Sequence, residues 1–452
     1  MQLLIYVLFV SIFSLDYLHY CLKVTQLYTT LVPELLSLIL VLVICLQAAV
    51  KNRFWMSMGY LVILVSYCIF MVCGGILNEL SYGPIILGIR SYLKFMPVFF
   101  LPFVFEFSTE DIQKQLKFLM VLLIIQLPIV ICQKFIVYRS ALTGDYVTGT
   151  LWVSGDLSIV LLCASAVVIA LLINKQMKPV SAALLIACLF IPTTLNETKV
   201  SLIILPIIII VPALLYKERI ENYYKHAKSK AKVIAAASLI GIILIPSFIT
   251  IYDMMLPPSR TGIVDILKRE MEGKGYYFTG AKAYNEQEFG RGDAIRLAFS
   301  RLSHEPLSLA FGLGMGNVMQ TSIKELRGKY TVSRNTEFDY RGQSVALTYM
   351  IWELGLAGFL MYFALHLLIL KDALLLRNAS GLLGSLSLGW VSIVSVMIVC
   401  LIYTNTIRSN PISMLFWYFS GIIAASASRL RASQEHFHTR QSFGVKIKPV
   451  VY

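Results

Sequence analysis

Charge is what this sequence has least of. Asp, Glu, Lys and Arg make up 14% of its 452 residues, against about 25% in water-soluble domains. At the same time 58% of the residues are hydrophobic. A chain with so little polar surface cannot enclose that much apolar matter in water, so a soluble enzyme is excluded, and disorder with it. The cysteines exclude further classes. All eight, at 21, 45, 68, 73, 132, 163, 188 and 400, lie in or beside apolar runs, and none falls in the one long polar segment. A disulfide framework there is ruled out, no Cys/His group has metal-ligand spacing, and buried small hydrophobes are the sufficient reading. No GxxxxGK[ST] run occurs and the loops on one side are short, which excludes an ATP-driven pump in a single chain. No repeat of 20–50 residues and no likeness between the halves is visible, which argues against a transporter built from inverted repeats.

What is present is a series of apolar runs near the length that crosses a bilayer. About twelve fall near 1–20, 31–50, 54–75, 84–105, 116–138, 151–173, 179–195, 199–216, 233–252, 344–370, 383–404 and 411–429. The fold class expected is an all-α polytopic membrane protein. The first run has no basic stretch before it and no small-residue cleavage site, so it reads as a retained helix. The net charge of +14 could suggest nucleic acid, but its placement follows membrane topology. One set of alternating loops, with the tail, carries 19 basic residues, among them Lys51, Arg53, Lys175, Lys178, Lys225 and Arg440. The short loops opposite carry four: Lys23, Arg139, Lys199 and Arg408. The positive-inside rule then places both termini in the cytoplasm, and nucleic acid is not needed as a partner.

One asymmetry organises the chain: spans over 1–252, a large outer segment over 253–343, spans over 344–429, and a basic cytoplasmic tail over 430–452. The 91 residues of the outer segment hold 13 Lys/Arg and 11 Asp/Glu. Segments beyond about 60 residues escape the positive-inside rule, so its basic content does not disturb the orientation. Within it Arg291, Arg296 and Arg301 recur every five residues, followed by His304 and Glu305. A step of five is about 1.4 turns, so the arginines share no clean face. An ordinary solvated helix with the pair Arg301–Glu305 is one reading; a cationic site for phosphate groups is the other, since guanidinium forks match phosphate oxygens. Gly312, Gly314 and Gly316 follow, a run that permits positive φ and close backbone approach to a ligand. Arg341 stands near the segment's end. Arg90 and Lys94 form a second cationic pair, one turn apart in the fourth run, and Lys199 opens the eighth. Intramembrane charges cost several kcal/mol and are functional candidates by default, although snorkelling explains some. Asp156 and Glu353 read as carboxylates that neutralise these cations, and His366 as structural.

These features resemble the O-antigen polymerase and O-antigen ligase superfamily, membrane glycosyltransferases of GT-C type. The resemblance rests on the large late outer loop and on Arg291 preceding Pro306 by fifteen residues. It also rests on the glycines at 312, 314 and 316, on the ten residues between Arg301 and Gly312, and on Glu353, Gly355 and Gly358 as a Glu-x-Gly-x-x-Gly span. Gly149 and Asp156 are similar to a Gly and Asn usual in the sixth span, and Thr198-Lys199 stands where a Ser-Arg pair is frequent. The ligases carry a His-Asn pair nine residues before the Glu; here Ser344-Val345 stands there, which favours a polymerase. The resemblance implies a bacterial inner-membrane enzyme, without metal or other cofactor, that joins undecaprenyl-pyrophosphate-linked oligosaccharides into O-antigen, capsule or exopolysaccharide with inversion at the anomeric centre. It implies leaving-group stabilisation by Arg291, Arg296 and Arg301, with Lys199 and Arg90, and a general base among His304, Glu305 and Glu353. A chain-length regulator and a separate flippase would be partners. Three alternatives stay open: a ligase acting on lipid A core or protein, a flippase or exporter of the lipid-linked sugar, and a nonenzymatic partner in a glycan-synthesis complex.

Overall fold

Apolar runs in a bilayer can satisfy their backbone N–H and C=O groups only within their own ladder, so each run is driven to be helical. A computed structural model describes residues 1–24, 26–51, 56–139, 144–216, 223–255, 262–272, 290–318, 323–330 and 345–442. Among these residues the regular elements are helices, with no strand. The first three, α1 (Gln2–Leu22), α2 (Gln26–Lys51) and α3 (Met58–Leu77), follow the first three apolar runs. The fourth run does not stay straight. It divides into α4 (Tyr82–Leu93) and α5 (Met96–Val104), bent by 50°. The cause is Pro97, at the second position of α5. It has no N–H, and its ring would meet the carbonyl of Leu93, so the ladder breaks there and leaves Lys94 at the elbow.

α6 (Thr109–Ile124) starts on a capping box in which Asp111 N–H donates to Ser108 Oγ at 3.1 Å and Ser108 N–H to Asp111 Oδ2 at 3.0 Å. It runs through α7 (Gln126–Cys132) into a π-helical turn over Gln133–Val137. Then come α8 (Ser154–Ile173), α9 (Pro179–Leu195), α10 (Ser201–Leu215) and α11 (Tyr223–Met255). α12 (Ile263–Met271) begins where Ile263 N–H donates to Asp253, at the end of α11, at 3.0 Å. Residues 253–343 further contribute α13 (Arg291–Leu302) and α14 (Pro306–Phe311), and then follow α15 (Ala346–Leu376), α16 (Gly381–Tyr403) and α17 (Asn410–Ser442).

Among the described residues, eight helical stretches are long and apolar enough to cross a membrane, or nine if α4 and α5 make one broken span. The finer count of twelve would need shorter apolar helices to cross as well. α10, between Asn196-Glu197-Thr198 and Tyr216, has only 15 residues, about 22 Å of helix against a hydrocarbon core of about 30 Å. α9 is limited in the same way by Pro179 at its start and Asn196 at its end.

Burial divides the helices into an inner and an outer set. The apolar windows of α8, α16 and α17 are 72, 78 and 94% buried, against 11% for that in α11 and 17% for that in α6–α7. With lipid outside as apolar as leucine, the inner set is held by close packing, by aromatic contacts and by a few polar links. Phe416 and His366 stack with centroids 4.9 Å apart, and Trp417 meets Phe99 edge-on at 5.9 Å. At one end of the bundle Asp372 on α15 accepts from Tyr60 on α3 at 3.0 Å and pairs with Arg431 on α17, tying three helices together. At the other end the helices part.

Candidate functional site

The elbow after α4, the first turn of α8 and its approach, the start of α15 and the loop from α16 to α17 surround a cavity of about 530 Å3. Its walls carry three cations, Arg90, Lys94 and Arg408, and two carboxylates, Glu34 and Asp156. Ser91, Tyr349, Asn405 and Asn410 add polar groups, and Trp152 a ring. Arg90 and Lys94 point the same way because they are one helical turn apart. Arg90 Nε lies 2.9 and 2.8 Å from the two oxygens of Glu34, a pair that α4 and α2 bring together. Lys94 Nζ donates to Asn410 Oδ1 at 2.6 Å and to the Arg408 carbonyl at 3.3 Å, which ties the elbow to the α16–α17 loop. Asp156 sits in the first turn of α8, where the unsatisfied N–H groups of a helix start favour a carboxylate.

The wall between Gly149 and Val153 is held from behind by two glutamines. Gln133 exchanges two hydrogen bonds with Gly149, at 2.7 and 2.8 Å, and Gln126 Oε1 accepts from Thr150 N–H and Oγ at 2.9 and 3.1 Å. Gly149 has φ +63°, and a Cβ on it would stand 2.5 Å from Gln126 Oε1, so glycine is required there.

The structure separates the residues singled out by sequence. Arg90 and Lys94 face the cavity; Lys199 is half-buried at the start of α10 and is not part of the cavity wall. Next to Lys199, Glu197 pairs with Lys134 at 2.7 Å. α13 turns Ala294, Ala298 and Leu302 inward, with Ile351 and Trp352 of α15 in the same buried cluster. Arg291 lies on that inward side: its guanidinium carbon is 4.4 Å above the Tyr403 ring, beside the cavity residues Thr404 and Asn405. Arg296 and Arg301 are exposed, turned roughly 140° and 80° away to either side at 100° per residue. His304 and Glu305 are exposed too, and Glu305 accepts from Ser308 Oγ at 2.7 Å at the start of α14. No described residue of 253–343 lines the cavity, and Arg341 lies outside the described residues.

Glu353 is fully buried. It accepts from Tyr92 Oη at 3.0 Å and from Val318 N–H at 3.0 Å, and so joins α4, α15 and the glycine-rich turn. The three glycines of that turn have φ of +70°, +89° and +76°. The space beside them is taken by protein. A Cβ on Gly316 would lie 1.9 Å from the Pro84 carbonyl oxygen, and one on Gly312 2.6 Å from the backbone of Glu353 and Gly355. Gly312, Gly314 and Gly316 let a loop wedge between α3, α4 and α15, and leave no room for a ligand at those atoms.

Sequence reasoning missed Arg408, Glu34, Asn405 and Asn410 as site residues. Glu34 carried a usable signal, since a carboxylate inside the apolar run 31–50 is costly without a partner. Arg408 counted only toward topology, and nothing in a six-residue loop says that it folds beside Lys94.

The molecule is thus a multi-pass helical membrane protein with a cation-rich cavity at one end of its bundle. Comparison with models of known protein families gives no match, and comparison with curated proteins gives none either.

Proposed function

We propose that this chain is a polysaccharide polymerase, a metal-independent inverting glycosyltransferase that joins undecaprenyl-pyrophosphate-linked repeat units at the outer face of a bacterial inner membrane. The observation that carries the reading is the convergence of Arg90, Lys94 and Arg408 on one cavity where helices end. In this reading α1 and the shorter α9 and α10 also cross and complete twelve, both termini are cytoplasmic, and the cavity lies on the outer side, where the lipid-linked head arrives.

The chemistry needs little more than charge and position. The acceptor hydroxyl oxygen bonds to the anomeric carbon as the bond from that carbon to the pyrophosphate oxygen breaks on the opposite face. The electron pair departs with the pyrophosphate, where the three cations meet the charge that develops. Glu34 now occupies Arg90, and phosphate oxygens compete with it for the same guanidinium. The hydroxyl proton passes to a carboxylate of the cavity wall, which offers Glu34 and Asp156. Arg291 lies over the ring of Tyr403, the residue before Thr404 of the cavity wall. The finished step leaves a longer glycan on one lipid and free undecaprenyl pyrophosphate. A chain-length regulator and a separate flippase fit beside it as partners.

Lys94→Ala and Arg408→Ala test this reading. Each is expected to slow polymer formation by about 10²–10³, the cost of losing one preorganised charge contact. Single lipid-linked units should accumulate while protein abundance stays level. Long-chain glycan of normal amount from both variants, on a gel of the extracted polysaccharide, would remove the cavity from the reaction.

A further inference from the structure

Below the cation cavity lies a second space with entirely different walls, a narrow cleft between α6, α8, α16 and α17 faced by apolar side chains. α8 borders both. Asp156 lines the cavity, and Val160, Cys163 and Val167, four, seven and eleven residues further along, line the cleft. At 100° per residue these positions stay within roughly 40° of one face, so a single face of α8 is charged at its first turn and apolar beneath it. α17 repeats the arrangement, with Pro411 in the cavity wall and Leu415 one turn deeper in the cleft. The cleft extends from Ile159 to Val167 on α8 and from Met397 to Leu386 on α16, about 12–16 Å at 1.5 Å per residue.

Its back wall is closed and its front is not. Trp390, Phe416 and Phe419 are buried, whereas Met120 on α6 and Cys163 and Ala164 on α8 keep partial exposure. The cleft therefore opens sideways between α6 and α8, at the depth of the hydrocarbon. A charged chamber over a dry, laterally open slot has the form of a lipid with one head and one chain; a phospholipid would bring two.

We infer that this slot holds the first isoprene units of the polyprenyl chain whose pyrophosphate head occupies the cation cavity. The inference rests on the proposed substrate and adds where its chain lies, and hence how a long lipid stays in the bilayer while its head meets Lys94 and Arg408.

Cys163 reports on this directly. With the other seven cysteines replaced, the protein is reconstituted in vesicles and Cys163 is alkylated with membrane-permeant N-ethylmaleimide. Binding of undecaprenyl pyrophosphate is measured separately by calorimetry. Undecaprenyl pyrophosphate at ten times its Kd should slow alkylation about tenfold by mass action, and neither inorganic pyrophosphate nor a two-chain phosphatidic acid should do so. Ala164→Trp, which fills the mouth of the slot, should weaken binding of undecaprenyl pyrophosphate. Alkylation at an unchanged rate while the lipid binds would overturn the inference and leave the proposed function standing. Equal protection by phosphatidic acid would overturn it too, making the slot a general lipid site. Failure of undecaprenyl pyrophosphate to bind at all would remove the proposed function and the inference together.

Discussion

Three arginines recur at equal spacing in 291–301, yet their surroundings differ. Arg291 lies over Tyr403 beside the cavity wall, while Arg296 and Arg301 stand in solvent. Spacing in the sequence could not choose among them, because the face of α13 that packs is fixed by Ala298 and Leu302, which cluster with Ile351 and Trp352 of α15. Arg291→Ala is therefore expected to cut polymer yield sharply, and Arg296→Ala and Arg301→Ala to leave it near normal, as exposed charges contribute only about 0–1 kcal/mol. Arg291→Lys should recover little, since an ammonium does not stack flat on a ring as a guanidinium does. Equal losses from all three alanine variants, read on glycan gels, would contradict this assignment. Glu353 invites a similar distinction. If its work is to hold Val318 N–H and Tyr92, Glu353→Gln keeps an acceptor for the buried N–H and should retain activity, while Glu353→Ala leaves that N–H unsatisfied at a cost of about 1–3 kcal/mol and should lower abundance. Loss of activity in a fully abundant Glu353→Gln protein would instead make the carboxylate the base.

Among the elements, the helices were legible from apolar run length and the breaks were not. Pro97 was visible, but an apolar run of bilayer length reads as one span. Only packing shows that the chain uses the proline to bend by 50° and bring Lys94 to the cavity. The glycine-rich turn was legible as a place needing positive φ and close approach; what approaches it proved to be the backbone of α4 and α15. Gly316→Ala is expected to destabilise the bundle. The left-handed conformation alone costs about 1–2 kcal/mol for a residue with a Cβ. The 1.9 Å approach to the Pro84 carbonyl oxygen adds overpacking, typically about 1–3 kcal/mol. Membrane-inserted protein should fall and its melting temperature in detergent should drop. A Gly316→Ala protein that is abundant and stable but inactive would mean that the turn serves a ligand after all.

At the scale of the whole molecule, composition was enough to establish a multi-pass helical protein, because so few charges leave no other way to solvate the chain. Orientation rests on the distribution of Lys and Arg. It predicts that Lys23→Cys reacts with an impermeant maleimide in cells whose outer barrier is opened, and that Gln176→Cys reacts only after the inner membrane is permeabilised. The reverse pattern would place the cavity on the cytoplasmic side and end the polymerase reading. The cavity itself was only half legible: its cations come from two distant stretches, 90–94 and 408, which meet because α4 and α5 bend and because α16 and α17 are joined by a tight loop. The most direct test of the central claim is to reconstitute the purified chain alone in vesicles with a defined oligosaccharide on undecaprenyl pyrophosphate, and to follow both glycan length and release of undecaprenyl pyrophosphate. Glycans of two and more repeat units, appearing together with one undecaprenyl pyrophosphate per joined unit and without added metal, are the result predicted. Repeat units that move across the vesicle membrane with no growth in length and no pyrophosphate release would contradict it.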